Sequence, residues 1–165
     1  MRRALAITVS NRASAGVYAD HGGPEVVAGL EELGFAVDGP EVVPDGAAVE
    51  AALRAALAAS YDVVVTTGGT GLSPTDQTPE MTKRVIEYEV PGIAEGIRAY
   101  GAAHGVPKAM LSRGLAGVAG QTLVINLPGS TGGVRDGMAV LAPVLMHAVE
   151  QIHGADHPLP PGGPT

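Results

Sequence analysis

Val63-Val64-Val65-Thr66-Thr67 runs into Gly68-Gly69-Thr70-Gly71 and then, past an isolated Asp76, into Thr78-Pro79-Glu80. No other stretch constrains the fold as tightly. The β-branched run reads as a strand covered on both faces. The glycines let the backbone turn sharply and expose its N–H groups to a ligand. Thr78-Pro79-Glu80 reads as an N-cap, a proline at the first helical position and an acid in the first turn. A buried strand, a glycine turn and a helix start together describe an open α/β sheet, which binds ligands at the carboxyl ends of its strands.

The rest of the chain repeats this alternation. Ala4 to Ser10 reads as a first strand, followed by a polar loop from Asn11 to Gly23. Pro24 opens a helix with Val26, Val27, Leu30 and Leu33 on one side, stopped by Gly34. Phe35 to Val43 supplies a second strand, bent at Gly39-Pro40, and Asp45 precedes a helix carrying Val49, Leu53 and Leu57. Tyr61 to Thr67 is the third strand. The helix after Thr78-Pro79 carries Met81, Val85 and Ile86, and Pro91-Gly92 starts another that runs to Ala103. Glycines at 114, 117 and 120 suit a loop or hairpin over Met110 to Gly120. Thr122 to Leu127 is a further buried strand, ending in Pro128-Gly129-Ser130-Thr131-Gly132-Gly133. The last helix sets Val134, Met138, Leu141, Leu145, Ala148 and Ile152 on one stripe, kinked at Pro143.

The expected fold is therefore a three-layer α/β/α domain over 1–153, with a mostly parallel sheet and helices on both faces. Its core is expected from Ile7, Val9, Val63, Val64, Val65, Leu123, Val124 and Ile125. Residues 154–165 hold four prolines and three glycines and read as a flexible tail.

Composition narrows the chemistry. Aromatic residues make up only 3% of the chain and the net charge is −7, so neither the stacking platforms nor the basic footprint of a nucleic-acid binder is present. There is no cysteine, which excludes disulfides, thiolate metal sites and thiol nucleophiles. The five histidines show no metal spacing, and no serine sits in a nucleophile elbow. No signal-peptide core and no transmembrane run is visible, so a cytoplasmic protein without a membrane partner is expected.

Two glycine loops each follow a strand that reads as central. Either alone is equally an ordinary turn, but together, with Asp76 between them, they favour one shared crevice. The first loop lacks the lysine of a Walker A motif and the spacing of a dinucleotide fingerprint. Asp45, taken by itself, reads as an N-cap. Two carboxylates at the mouth of a phosphate site also suit Mg²⁺, which takes oxygen ligands and keeps several waters. Ser112 and Arg113 are candidates for an anion contact or ordinary loop residues, and Glu95 with Arg98 reads as an exposed helical pair.

Thr66-Thr67-Gly68-Gly69-Thr70-Gly71 with Asp76 and Thr78-Pro79-Glu80 closely resembles the signature of the molybdenum cofactor biosynthesis family of MogA, MoaB and the gephyrin G domain. The likeness continues through Pro91-Gly92, Met110-Leu111-Ser112-Arg113, Ala116-Gly117 with Gly120, and Leu127-Pro128-Gly129-Ser130, from Ile7 to about Ile152. The resemblance implies a homotrimer that binds molybdopterin and transfers AMP from Mg-ATP to its terminal phosphate. It further implies a molybdenum-insertion protein as partner. It assigns Asp45 and Asp76 as catalytic and metal-binding residues. It assigns Gly68, Gly69, Thr70, Gly71, Thr78, Pro79, Glu80, Ser112, Pro128, Gly129 and Ser130 to substrate binding. Three positions depart from the family pattern: Thr75 stands where many members have Arg, Gly22 where Ser is common, and Thr131 where Pro is common. A non-catalytic pterin-binding paralogue is the alternative, which has no need of both aspartates. A related domain acting on another nucleotide, as in competence-damage-inducible proteins, is a third reading, opposed by Thr70 where those proteins have Leu.

Overall fold

The computed structural model describes residues 1–155. In chain order it contains β1 (Arg3–Val9), α1 (Asn11–Ser14), α2 (Gly22–Glu32), β2 (Ala36–Val43), α3 (Ala47–Ala58) and β3 (Val63–Thr67). These are followed by α4 (Thr78–Lys83), β4 (Tyr88–Glu89), α5 (Pro91–Ala103), a 3₁₀ turn (Pro107–Leu111), β5 (Ala116–Ala119), β6 (Thr122–Leu127), α6 (Thr131–Leu141) and α7 (Leu145–Ile152).

The strands form one six-stranded sheet in the order β2-β1-β3-β6-β5-β4. β2, β1, β3 and β6 are parallel, while β5 and β4 are antiparallel to their neighbours. The mostly parallel three-layer arrangement expected from the alternation is present. Side chains alternate across the pleat. Ala4, Ala6, Val63, Val65, Leu123 and Ile125 pack on one face against α2, α5, α6 and α7. Leu5, Ile7, Val9, Val64 and Val124 pack on the other against α3 and α4. Every residue of the expected core is buried.

Local boundaries differ where tertiary contacts override local pattern. The expected polar loop contains the short helix α1, and α2 begins at Gly22, before Pro24, because the Asp20 carboxylate accepts from the Gly23 N–H at 3.0 Å. The bend at Gly39-Pro40 is a bulge: Leu5 pairs with Asp38 but Ile7 with Glu41, so β2 carries an extra residue. The helix after Thr78 ends at Lys83, leaving Val85 and Ile86 beyond it yet packed on the core. The expected kinked last helix is two helices, α6 and α7, because Pro143 has no N–H to continue the ladder. Met110 to Gly120 resolves into a 3₁₀ turn and the first strand of the β5–β6 hairpin. Of the expected tail, the Gly154 and Ala155 N–H groups bond back to Gln151 and Glu150; residues 156–165 lie outside the described residues.

Asn126 ties β6 to β3, to α4 and to the residue before β5. Its Oδ1 accepts from the Leu115 N–H at 3.2 Å, and its Nδ2 donates to the hydroxyls of Thr66 and Thr82, both at 3.0 Å. All these groups are buried, so each loses water without compensation if its partner is removed. Replacing Asn126 by Ala is expected to lower stability by about 3 kcal/mol, since it strands several buried polar groups. Urea unfolding with an unchanged slope but a lower midpoint is the expected record.

Candidate functional site

The carboxyl ends of β1, β3 and β6 are level, because Thr8 pairs with Thr67 and Thr67 with Leu127. The two glycine loops therefore leave the sheet side by side. The Gly68 N–H bonds to the Leu127 carbonyl at 3.1 Å, and the Thr67 hydroxyl donates to the Pro128 carbonyl at 2.7 Å. A Cβ on Gly129 would stand 3.3 Å from the Gly68 Cα, so the loops touch backbone to backbone. The shared crevice expected from the sequence is present.

Gly68 and Gly69 both have positive φ, +96° and +68°, a conformation that side-chain-bearing residues rarely adopt. This turn brings the backbone against Asp45, whose Oδ1 lies 2.6 Å from where a Cβ of Gly69 would be. Asp45 is not a cap. The N-cap of α3 is Gly46, with no side-chain bond, and Asp45 instead accepts from the Gln77 N–H at 3.3 Å. Its own N–H bonds to Asn11 Oδ1 at 2.9 Å, which fixes the residue at the crevice. Burial, and then the neighbouring charge of Asp76, push the Asp45 carboxyl above its ordinary value despite the Gln77 bond.

Asp76 lies on the loop between β3 and α4, where its carboxylate accepts from the Ser73 N–H at 3.1 Å. A Cβ on Gly71 would meet that carboxylate at 2.9 Å, so Gly71 makes room for it. Thr78 is the first residue of α4; Gln77 takes the cap position, and the fully buried Thr78 hydroxyl donates to the Gly68 carbonyl at 2.9 Å. Thr78 thus shapes the loop from behind. Pro79 and Glu80 line a separate cleft with Lys83, Arg113 and Leu115, and Glu80 pairs with Arg113, whose hydrogen bond holds its carboxyl below the ordinary range.

The crevice has two chambers that share Gly69, Asp76 and Gly129 as a common wall. The first, of about 530 Å³, adds Asp45, Gly68 and the segment from Ser10 to Gly22, including Asn11, Arg12 and His21. The second, of about 360 Å³, takes Thr70, Gly71, Ser112, Pro128 and Ser130, with a flank from Ile97, Arg98, Val106 and Lys108. Both aspartates face the first chamber, and only Asp76 faces both. Ser130 is the N-cap of α6, accepting from the Gly133 N–H at 3.0 Å, so its hydroxyl sits at that helix start.

The wall from Ser10 to Gly22 and the flank from α5 have no signal in local spacing; they reach the crevice only through packing. Arg98 does not form the expected exposed pair. It donates to the carbonyls of Ser112, at 3.3 Å, and Gly114, at 2.8 Å. Of the family departures, Thr75 shares a hydrogen bond with the Ser73 hydroxyl at 3.2 Å. Gly22 faces Thr67, with 3.3 Å between a built Cβ and the threonine Oγ1. Thr131 opens α6.

Among the described residues no group of three or more His, Cys, Asp or Glu forms a metal cage. Asp45 and Asp76 by themselves fit Mg²⁺, which is commonly held by one or two carboxylates, waters and substrate phosphates. No described helix is long and apolar enough to cross a membrane.

A family model described as a probable molybdopterin binding domain matches residues 5–147. A solved structure of MogA is 56% identical with a TM-score of 0.89, covering 92% of this chain and 99% of its own. The Mog protein of Mycobacterium ulcerans is 51% identical with a TM-score of 0.88, covering 92% and 99%. The molybdopterin adenylyltransferase of Helicobacter pylori strain J99 is 36% identical over 155 residues, which is 90% of this chain and 86% of that protein. The chain spans about half the length of the bifunctional molybdenum cofactor biosynthesis proteins it also matches, 50% in one and 48% in another.

Proposed function

The chain belongs to the molybdenum cofactor biosynthesis family of molybdopterin-binding domains, and from that premise we propose that residues 1–153 form a molybdopterin adenylyltransferase. An oxygen of the terminal phosphate of molybdopterin attacks the α-phosphorus of ATP. The new P–O bond forms as the bond to the β-phosphate oxygen breaks, and pyrophosphate leaves. The observation that carries this reading is the two-chambered crevice with Asp76 in its dividing wall. A transfer between two substrates needs two adjoining volumes that meet where the bond is exchanged.

The residues divide the work by position. Gly68, Gly69, Thr70 and Gly71 present backbone to the phosphates, and Pro128, Gly129 and Ser130 close the opposite side. Ser112 supports Thr70 through a hydroxyl contact at 3.3 Å. Asp45 and Asp76 would hold Mg²⁺, which when bound offsets phosphate charge as it grows in the transition state. Both carboxylates repel phosphate unless so neutralised, and this is the physical reason that a passive pterin binder gains nothing from keeping the pair. Thr78 supports the loop from behind through the Gly68 carbonyl and Glu80 reaches it through Arg113, while Pro79 lines the separate cleft and takes no part in this support.

Incubating the protein with molybdopterin and Mg-ATP is expected to yield adenylylated molybdopterin and pyrophosphate. Molybdopterin binding with ATP left intact would instead favour the non-catalytic paralogue. The same proposal places the protein in the cytoplasm as a homotrimer that passes its product to a molybdenum-insertion protein. Light scattering that returns a monomer at micromolar concentration would contradict the trimer.

A further inference from the structure

Arg113 is held by more of the site than any other side chain near it. Its Nε donates to the Gly71 carbonyl at 2.9 Å and its Nη2 to the Asp76 carbonyl at 2.9 Å, while Nη1 pairs with Glu80 on α4. Gly71 and Asp76 are the two ends of one loop, so a single planar guanidinium staples that loop shut. The Arg113 N–H adds a bond to the Thr70 carbonyl at 2.7 Å. Arg98 of α5 grips the carbonyls on either side of Arg113, at Ser112 and Gly114. All of these acceptors are backbone carbonyls or the Glu80 carboxylate, so both guanidinium groups are engaged with the protein itself.

The carboxylate of Asp76 depends on that loop for its aim, because its internal bond comes from Ser73 within the loop itself. The geometry points to Arg98 and Arg113 as a two-arginine clamp that positions Asp76 for the transfer step. This inference rests on the adenylyltransferase reading for its kinetic consequence, while the clamp itself is a property of the loop. A lysine at 113 keeps the charge but offers one ammonium on a flexible stem, which cannot bridge three acceptors facing a planar fork.

Two measurements on the full chain decide it, with Arg113→Lys as the main variant and Arg98→Lys as a second should the first fail to fold. By amide hydrogen exchange, the N–H groups from Thr70 to Gln77 should exchange faster in R113K, while those of β3 and β6 keep wild-type rates. In adenylyl transfer, R113K should lose about 10-fold or more in kcat with KM for ATP changed by less than about 3-fold, as expected when a group is misaimed and not lost. The pair R113K/D76N should be no slower than D76N alone, since the arginine acts only through that carboxylate. Unchanged exchange in the loop overturns the clamp. Turnover of R113K within about 2-fold of wild type, or a double variant slowed by the product of the two single effects, overturns its role in positioning Asp76. If the wild-type protein itself transfers no adenylyl group, the functional reading fails, and the exchange data still decide whether the clamp exists.

Discussion

Asp76→Asn is expected to lower the turnover of adenylyl transfer by about 10²-fold or more, equivalent to ~3 kcal/mol, with a modest change in molybdopterin affinity. Asparagine keeps the size and removes the charge. The carboxylate stands in the wall common to both chambers, where the proposed transfer would take place, so on that proposal its loss falls mainly on the transition state. Asp45→Asn is expected to cost less, because Asp45 faces only the first chamber. Since the N-cap of α3 is Gly46, Asp45→Asn should leave the melting temperature near that of the wild type and act on turnover. The reverse pattern, a lower melting temperature with intact turnover, would restore Asp45 to a structural role. Steady-state kinetics of both variants, read beside thermal unfolding, separate these outcomes. Near-normal turnover of Asp76→Asn would overturn the mechanism proposed here.

Gly68→Ala is expected to be strongly destabilising. Its Cβ would lie 2.2 Å from the Val9 carbonyl oxygen, a backbone atom of β1 that has nowhere to move, and φ is +96°. Positive-φ strain of about 1–2 kcal/mol adds to the overlap, for a total on the order of 4 kcal/mol or more. The melting temperature should fall by about 8–16 °C for a domain of this size. Gly71→Ala is the informative contrast. Its Cβ meets only the end of the Asp76 side chain, at 2.9 Å, and the carboxylate can swing away. Stability should then change by less than about 1.5 kcal/mol while turnover falls, because the proposed catalytic carboxylate of Asp76 is what gives way. Equal losses of stability in the two variants would show that neither contact is as the structure has it.

Thr78 has the residue type and spacing of an N-cap, yet Gln77 takes the position, because the Thr78 hydroxyl finds a buried acceptor in the Gly68 carbonyl. Asp45 likewise looks like a cap one residue before Gly46, yet it accepts from the Gln77 N–H on the loop before α4. Local propensity is worth about 1 kcal/mol at such a position, and a partner from elsewhere in the fold outweighs it. Arg98 repeats the point: an acid three residues away on its helix suggests a surface pair, and the carbonyls of a neighbouring turn capture it instead.

What the sequence by itself determined is the part of this protein that depends on short-range chemistry. A continuous β-branched run made Val63–Thr67 an interior strand and a largely apolar run made Thr122–Leu127 another, and glycines at their ends made the crevice, with Asp76 on its loop. The family motif, spread over most of the chain, brought Asp45 to the same place. Only the tertiary structure decided what comes from a distance. The level register of β1, β3 and β6 sets the two loops in contact, and the segment from Ser10 to Gly22 closes the first chamber. Arg98 and Arg113 are fixed by carbonyls that no side-chain spacing reveals. Every residue offers the same backbone carbonyl, so which one an arginine finds is written in the packing and not in the order of side chains.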